Sequence, residues 1–109
     1  MKVIWTNGCF DILHRGHIEL FKFCKSQGDY LVVGIDTDKR VKQNKGPDRP
    51  FNKEEDRSFF LESIKYIDKV VMFSSDEELE QRLVENGVDI MIVGSDWQGK
   101  RVVGEEKVN

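Results

Sequence analysis

Four short apolar runs punctuate the chain: KVIW from Lys2, YLVVGI from Tyr30, KVVMF from Lys69 and DIMIVG from Asp89. They are rich in β-branched side chains and nearly continuous in apolarity, as parallel strands covered on both faces should be. The segments between them carry apolar residues at helical spacing. Ile18, Leu20, Phe21 and Cys24 form one stripe, with Gly28 as its stop. Asn52 and Glu55 have the spacing of a capping box ahead of a helix whose face carries Phe60, Ile64 and Ile67. Ser75 and Glu78 repeat that spacing before Leu79 and Leu83, and Asn86-Gly87 closes the helix.

Strand and helix therefore alternate, which predicts right-handed crossovers and an α/β, Rossmann-like, doubly wound parallel sheet in a single domain over residues 1–109. Ligands of such sheets sit at the carboxyl ends of the strands, near the switch point. Three loops are expected there: Asn7 to Phe10 after the first strand, Asp36 to Phe51 after the second, and Gly94 to Gly99 after the fourth. The connection from Asp36 to Asn52 is long for an α/β protein, and long connections tend to be functional.

Composition narrows the function. With 39% hydrophobic and 34% charged residues, the 109-residue chain reads as one soluble domain. No long apolar run or secretory signal is visible, so the cytoplasm is the default compartment and no membrane partner is expected. Cys9 and Cys24 are too few for a disulfide framework. A net charge of -3 argues against a nucleic-acid module. The charge is uneven, however: Lys39, Arg40, Lys42, Lys45, Arg49 and Lys53 crowd the middle of the chain. A local basic cluster in an acidic protein suits a small anion better than a long polyanion.

The densest candidate chemistry is NGCFDILHRGH, from Asn7 to His17. Two imidazoles at a helix start add hydrogen-bond donors to the N–H groups and dipole that already favour anions there. Gly8 and Gly16 allow a tight turn and a close approach to a ligand. Such a set suits electrostatic stabilisation of a phosphoryl transition state. Lys42, Lys45 and Arg57 can add point charges and a bidentate fork. Asp96 can accept from hydroxyls, and Trp97 can stack on a base or wall the pocket. Asp11 and Asp38 can orient a neighbour, hold a magnesium-bound water, or cap a turn. A zinc site built from Cys9, His14 and His17 is the weaker alternative, because the spacing matches no common structural zinc pattern.

GCFDILHRGH resembles the GxFDxxHxGH signature of the cytidylyltransferase-like nucleotidyltransferases, in the superfamily that carries the HxGH motif. GDYLVVGIDTD and GSDWQGK are similar to glycerol-3-phosphate cytidylyltransferases; TNGCFDILHRGH and KGPDRPFNKEEDR are similar to the adenylyltransferase domain of ADP-heptose synthases. The likeness runs from Val3 to about Gly104.

The resemblance implies in-line attack by a sugar or polyol phosphate on the α-phosphorus of CTP or ATP, releasing pyrophosphate, with Mg2+ carried on the triphosphate. It gives catalytic roles to His14, His17, Lys42, Lys45 and Arg57. Nucleotide contacts at Gly8, Cys9, Phe10 and Asp96 follow from it as well, while Asp11, Gly16 and Trp97 as further nucleotide contacts and Asp38 as a substrate contact are expected from the residues themselves. The resemblance also implies a homodimer and no resident metal. CTP stands slightly ahead of ATP as the donor. One departure is that the family usually continues past the fourth strand into a fifth, followed by an RTxGISTT-like motif that opens the last helix, whereas the sequence stops at GEEKVN, so that final strand and helix are expected to be missing. A non-catalytic nucleotide-binding module would keep the fold without turnover. An aminoacyl-tRNA synthetase fragment would share HxGH but needs a KMSKS-like loop that the chain does not contain.

Overall fold

The computed structural model describes residues 1–92 and the backbone of 102–103. The elements run β1 (Val3–Gly8), α1 (Arg15–Ser26), β2 (Tyr30–Asp36), α2 (Asp38–Lys45), α3 (Glu54–Glu62), β3 (Lys69–Phe73), α4 (Asp76–Glu85), β4 (Ile90–Ile92) and β5 (Val102–Val103). The sheet order is β3-β2-β1-β4-β5. β1 pairs in parallel with both β2 and β4, and β2 with β3. The chain thus winds outward from β1 to β3, then returns to the other side of β1, which puts the switch point between β1 and β4. β5 departs from the all-parallel expectation by pairing antiparallel with β4.

Period-two alternation splits the core into two layers. Ile4, Leu31, Val33 and Ile35 face one side and pack with Leu20, Phe21 and Cys24 of α1 and Leu61 of α3. Trp5, Val32 and Phe73 face the other and pack with Leu83 of α4 and Val88. The Trp5 indole N–H donates to Asn7 Oδ1 at 2.8 Å, so the largest buried ring keeps no unpaired donor.

At the amino ends of the strands, aspartates take the backbone N–H groups that the sheet leaves over. Asp29 accepts from Lys2, Asp89 from Val3 and Asp68 from Leu31. The opposite edge is left to the loops.

Three expectations change. The segment after β2 is not one long loop: Thr37 Oγ1 accepts from the Arg40 N–H at 3.4 Å and starts the helix α2, which buries only Val41. The Asn52–Glu55 capping box does not form. Lys53 is the N-cap of α3 without a side-chain cap, because Asn52 Nδ2 donates to the Asp11 carbonyl instead. Finally, α3 buries Arg57 and Leu61, leaves Phe60 exposed, and ends before Ile64 and Ile67. The Ser75 cap holds, with Oγ accepting from the Glu78 N–H at 3.1 Å, and Gly87 adopts φ +62° beyond Asn86.

No helix among the described residues is long and apolar enough to cross a membrane.

Candidate functional site

β1 extends through Asn7 and Gly8, which pair with Gly34 and Ile35, so the loop starts at Cys9. Phe10 then turns the chain with φ +50°. A left-handed aromatic residue is an outlier that costs about 1–3 kcal/mol unless its surroundings hold it. Here they do. The Phe10 ring lies over Gly8, where an added Cβ would come 3.1 Å from its Cζ. The ring also meets His17 at 5.3 Å and Phe21 at 5.2 Å between centroids, both edge-on.

His14 is the N-cap of α1, and His17 sits at its third position, inside the helix rather than ahead of it. His14 Nδ1 accepts from the Gly16 N–H at 3.0 Å, and His17 Nδ1 accepts from the His14 N–H at 3.2 Å. The pair forms a reciprocal capping box in which imidazoles replace the usual serine and glutamate. A nitrogen that accepts carries no proton, so the hydrogen bonds assign each neutral ring its proton at Nε2. Both rings therefore turn a donor away from the helix backbone. The rings stack at 3.9 Å between centroids. Burial, and after it the neighbouring His14, pushes the His17 imidazole below its ordinary value of 6.5.

Gly16 also serves the histidine cap. A Cβ there would lie 2.9 Å from His14 Cε1, so the missing side chain makes room for the capping imidazole.

Asp11 anchors a second segment. Its Oδ2 accepts from the Phe51 N–H and its Oδ1 from the Asn52 N–H, both at 2.7 Å. Both carboxylate oxygens accept within the chain, so Asp11 fastens the α2–α3 loop beside the histidine loop.

Arg57 is the largest correction. It is 0% exposed, and four of the five N–H groups of its guanidinium face the chain itself. Nε donates to the Asn52 carbonyl at 3.0 Å, and Nη1 to the carbonyls of Cys9 at 3.0 Å and Asp36 at 2.8 Å. Nη2 donates to Asp38 Oδ1 at 2.7 Å. Asp38, expected at the substrate, thus pairs with Arg57, and its own N–H donates to Glu54 Oε1 at 2.7 Å. This cross-tie was invisible in the sequence, because three of Arg57's partners are backbone carbonyls, two of them distant in the chain, and carbonyls leave no motif.

Lys42 and Lys45 are exposed in the last turn of α2, not on a free loop, and the helix C-terminus favours cations there. Lys45 lies close enough to Cys9 and Asp36 to lower the proton affinity of both. Burial nevertheless raises both groups overall, so the Cys9 thiol stays protonated at neutral pH and is no nucleophile. Arg40 Nε lies 3.1 Å from Asp36 Oδ1, an ion-pair contact without hydrogen-bond alignment.

Asp96 and Trp97, with the GSDWQGK segment, lie outside the described residues. Gly8, Cys9, Phe10, Asp11, Gly16, His14, His17, Asp38 and Arg57 do converge at the carboxyl end of β1, with Lys45 beside them. Among the described residues no group of three or more histidine, cysteine or acidic side chains could hold a metal ion.

Known proteins resemble the chain over nearly its whole length. Bifunctional protein HldE of a Nitratiruptor species is 43% identical over 105 residues, 96% of this chain and 22% of that protein. Bifunctional protein HldE of Campylobacter fetus subsp. fetus is 45% identical over 107 residues, 97% of this chain and 23% of the relative. The chain thus spans under a quarter of the length of these relatives. A solved structure, the lipopolysaccharide core biosynthesis protein from Thermoplasma volcanium GSS1, superposes with a TM-score of 0.74 at 29% identity, covering 84% of this chain and 72% of that one. The Cytidylyltransferase-like family profile matches residues 5–105, and the chain belongs to that family.

Proposed function

We propose that the chain catalyses nucleotidyl transfer: a phosphate oxygen of a sugar phosphate attacks the α-phosphorus of a nucleoside triphosphate, and the bond to the bridging oxygen breaks to release pyrophosphate. The observation that carries this reading is the histidine capping box. It fixes two Nε2–H donors side by side at a helix N-terminus, where they can meet oxygens whose charge grows as the phosphorus passes through its transition state. The donors are in place before the ligand arrives, so little reorganisation is needed.

Lys42 and Lys45 supply mobile charge to the outer phosphates, and the Gly8–Phe10 backbone lines the floor. The magnesium of this proposal travels with the triphosphate, and no step is assigned to it. Asp96 and Trp97 stay candidates for the nucleoside side. The cytoplasm and a homodimer belong to the same proposal, the dimer being open to sedimentation.

For the donor nucleotide, the similarity to the HldE proteins across nearly the whole chain supports ATP with a heptose 1-phosphate type of acceptor. CTP with a polyol phosphate such as glycerol 3-phosphate is the second reading, favoured by the GSDWQGK segment. A pyrophosphate-release screen of ATP and CTP against heptose 1-phosphate and glycerol 3-phosphate tests both. Release with ATP and heptose 1-phosphate is expected. Release only with CTP and the polyol phosphate reverses the choice, and no release with any pair contradicts transfer and leaves a nucleotide-binding module.

A further inference from the structure

The contacts of Arg57 reach further than structural support. Its partners come from three places at the carboxyl edge of the sheet: Cys9 after β1, Asp36 and Asp38 at the β2–α2 junction, and Asn52 before α3. The Cys9 carbonyl is the informative one. A trans peptide holds its C=O and N–H antiparallel, so fixing that carbonyl on Nη1 also fixes the direction of the Phe10 N–H. Phe10 is the residue with φ +50°, a conformation that persists only where its neighbours impose it. Its ring in turn lies edge-on to His17 at 5.3 Å.

We infer that Arg57 is a positioning residue for His17, acting through the Cys9 carbonyl and the left-handed backbone of Phe10 rather than by touching phosphate. A guanidinium that served a phosphate would turn two N–H groups outward as a fork. This one is 0% exposed and spends four N–H groups on the chain. The links run in one direction. Arg57 holds the peptide, the peptide holds Phe10, and the Phe10 ring shields one side of the His17 imidazole while His14 stacks against it. His14 is the titratable group facing His17, and the Phe10 ring is uncharged. The kinetic part of this inference rests on nucleotidyl transfer; the geometric part does not.

The test is Arg57→Lys, which keeps the charge but cannot reach two carbonyls and a carboxylate at once. Circular dichroism and melting establish the fold, and NMR follows the titration of both imidazoles. With Phe10 released and water admitted, the His17 midpoint should move up toward its ordinary value. In turnover, kcat should fall roughly tenfold or more while KM for the triphosphate stays within about threefold. The acid limb of the pH–rate profile should move with the His17 midpoint. Phe10→Leu, which leaves the Arg57 contacts in place, should raise the same midpoint and decides the matter if the lysine variant does not fold. An unchanged His17 titration in the folded variants overturns the inference, as does a large rise in KM at constant kcat for Arg57→Lys. If the wild-type protein binds no nucleoside triphosphate, the transfer reading fails while the imidazole titrations still judge the role of Arg57.

Discussion

His14 and His17 stack with 3.9 Å between ring centroids and 28° between planes, each accepting a backbone N–H at Nδ1. The helix start, the tautomers and the outward donors are one arrangement. A second proton on His17 would have to sit on the nitrogen that accepts from His14, which couples the charge of the ring to the helix cap.

That coupling gives a pH dependence. The folded protein holds His17 below 6.5, through burial first and His14 second, so the unfolded chain takes up this proton earlier as pH falls. The contribution is therefore complete above 6.5 and is lost as pH drops from there through the folded value. Melting temperature should fall on going from about pH 7 to about pH 5, and His17→Gln, which can still accept a backbone N–H, should flatten that slope. An equal slope in the two proteins would contradict the assignment.

Gly16→Ala should harm activity more than stability. Alanine suits a helix better than glycine does by about 1 kcal/mol. Its Cβ, however, would lie 2.9 Å from His14 Cε1 and push the ring off its cap. A fall of about tenfold or more in kcat is expected, with a melting temperature close to wild type. Undiminished turnover would show that the His14 position is not needed.

Lys42→Ala and Lys45→Ala should leave the melting temperature nearly unchanged, since exposed charges contribute little to folding. Each should raise KM for the triphosphate, more at low salt than at high salt. Calorimetry of nucleotide binding at two ionic strengths checks this, and equal affinities throughout would remove the lysines from the site.

Asp11→Ala removes the acceptor of the Phe51 and Asn52 N–H groups together. A destabilisation of about 2 kcal/mol is expected, as charged hydrogen bonds contribute about 1.5–3 kcal/mol each and part of this loop is open to water. Hydrogen exchange at Phe51 and Asn52 should rise with it. Protection that survives the change would show the loop to be held by other contacts.

Much of the architecture was legible, for physical reasons. The buried strands carry apolar residues on both faces, and α1 and α4 carry stripes at helical spacing, so local pattern and final environment agree. The helix α2 escaped notice because its eight residues bury only Val41. Asn52 misled because a tertiary contact with Asp11 competed with the local cap. Around the candidate site, the histidines, glycines and lysines stood out through their spacing. What sequence could not convey was the direction of the contacts: Arg57 and Asp38 face each other, Asp11 faces the loop, and Gly16 serves His14. The left-handed turn at Phe10 has no local signal, since an aromatic residue there runs against propensity.

Two neutral imidazoles that offer Nε2–H donors to a polyphosphate at the end of β1 are the centre of the proposed chemistry. Nitrogen-15 spectra of the histidine rings, recorded while ATP and then CTP are added, test this most directly. The expected result is the Nε2–H tautomer for both rings before addition, with Nε2 signals that move on binding while the Nδ1 signals hold nearly still. Rings protonated at Nδ1, or Nε2 signals indifferent to a bound nucleotide, would contradict it.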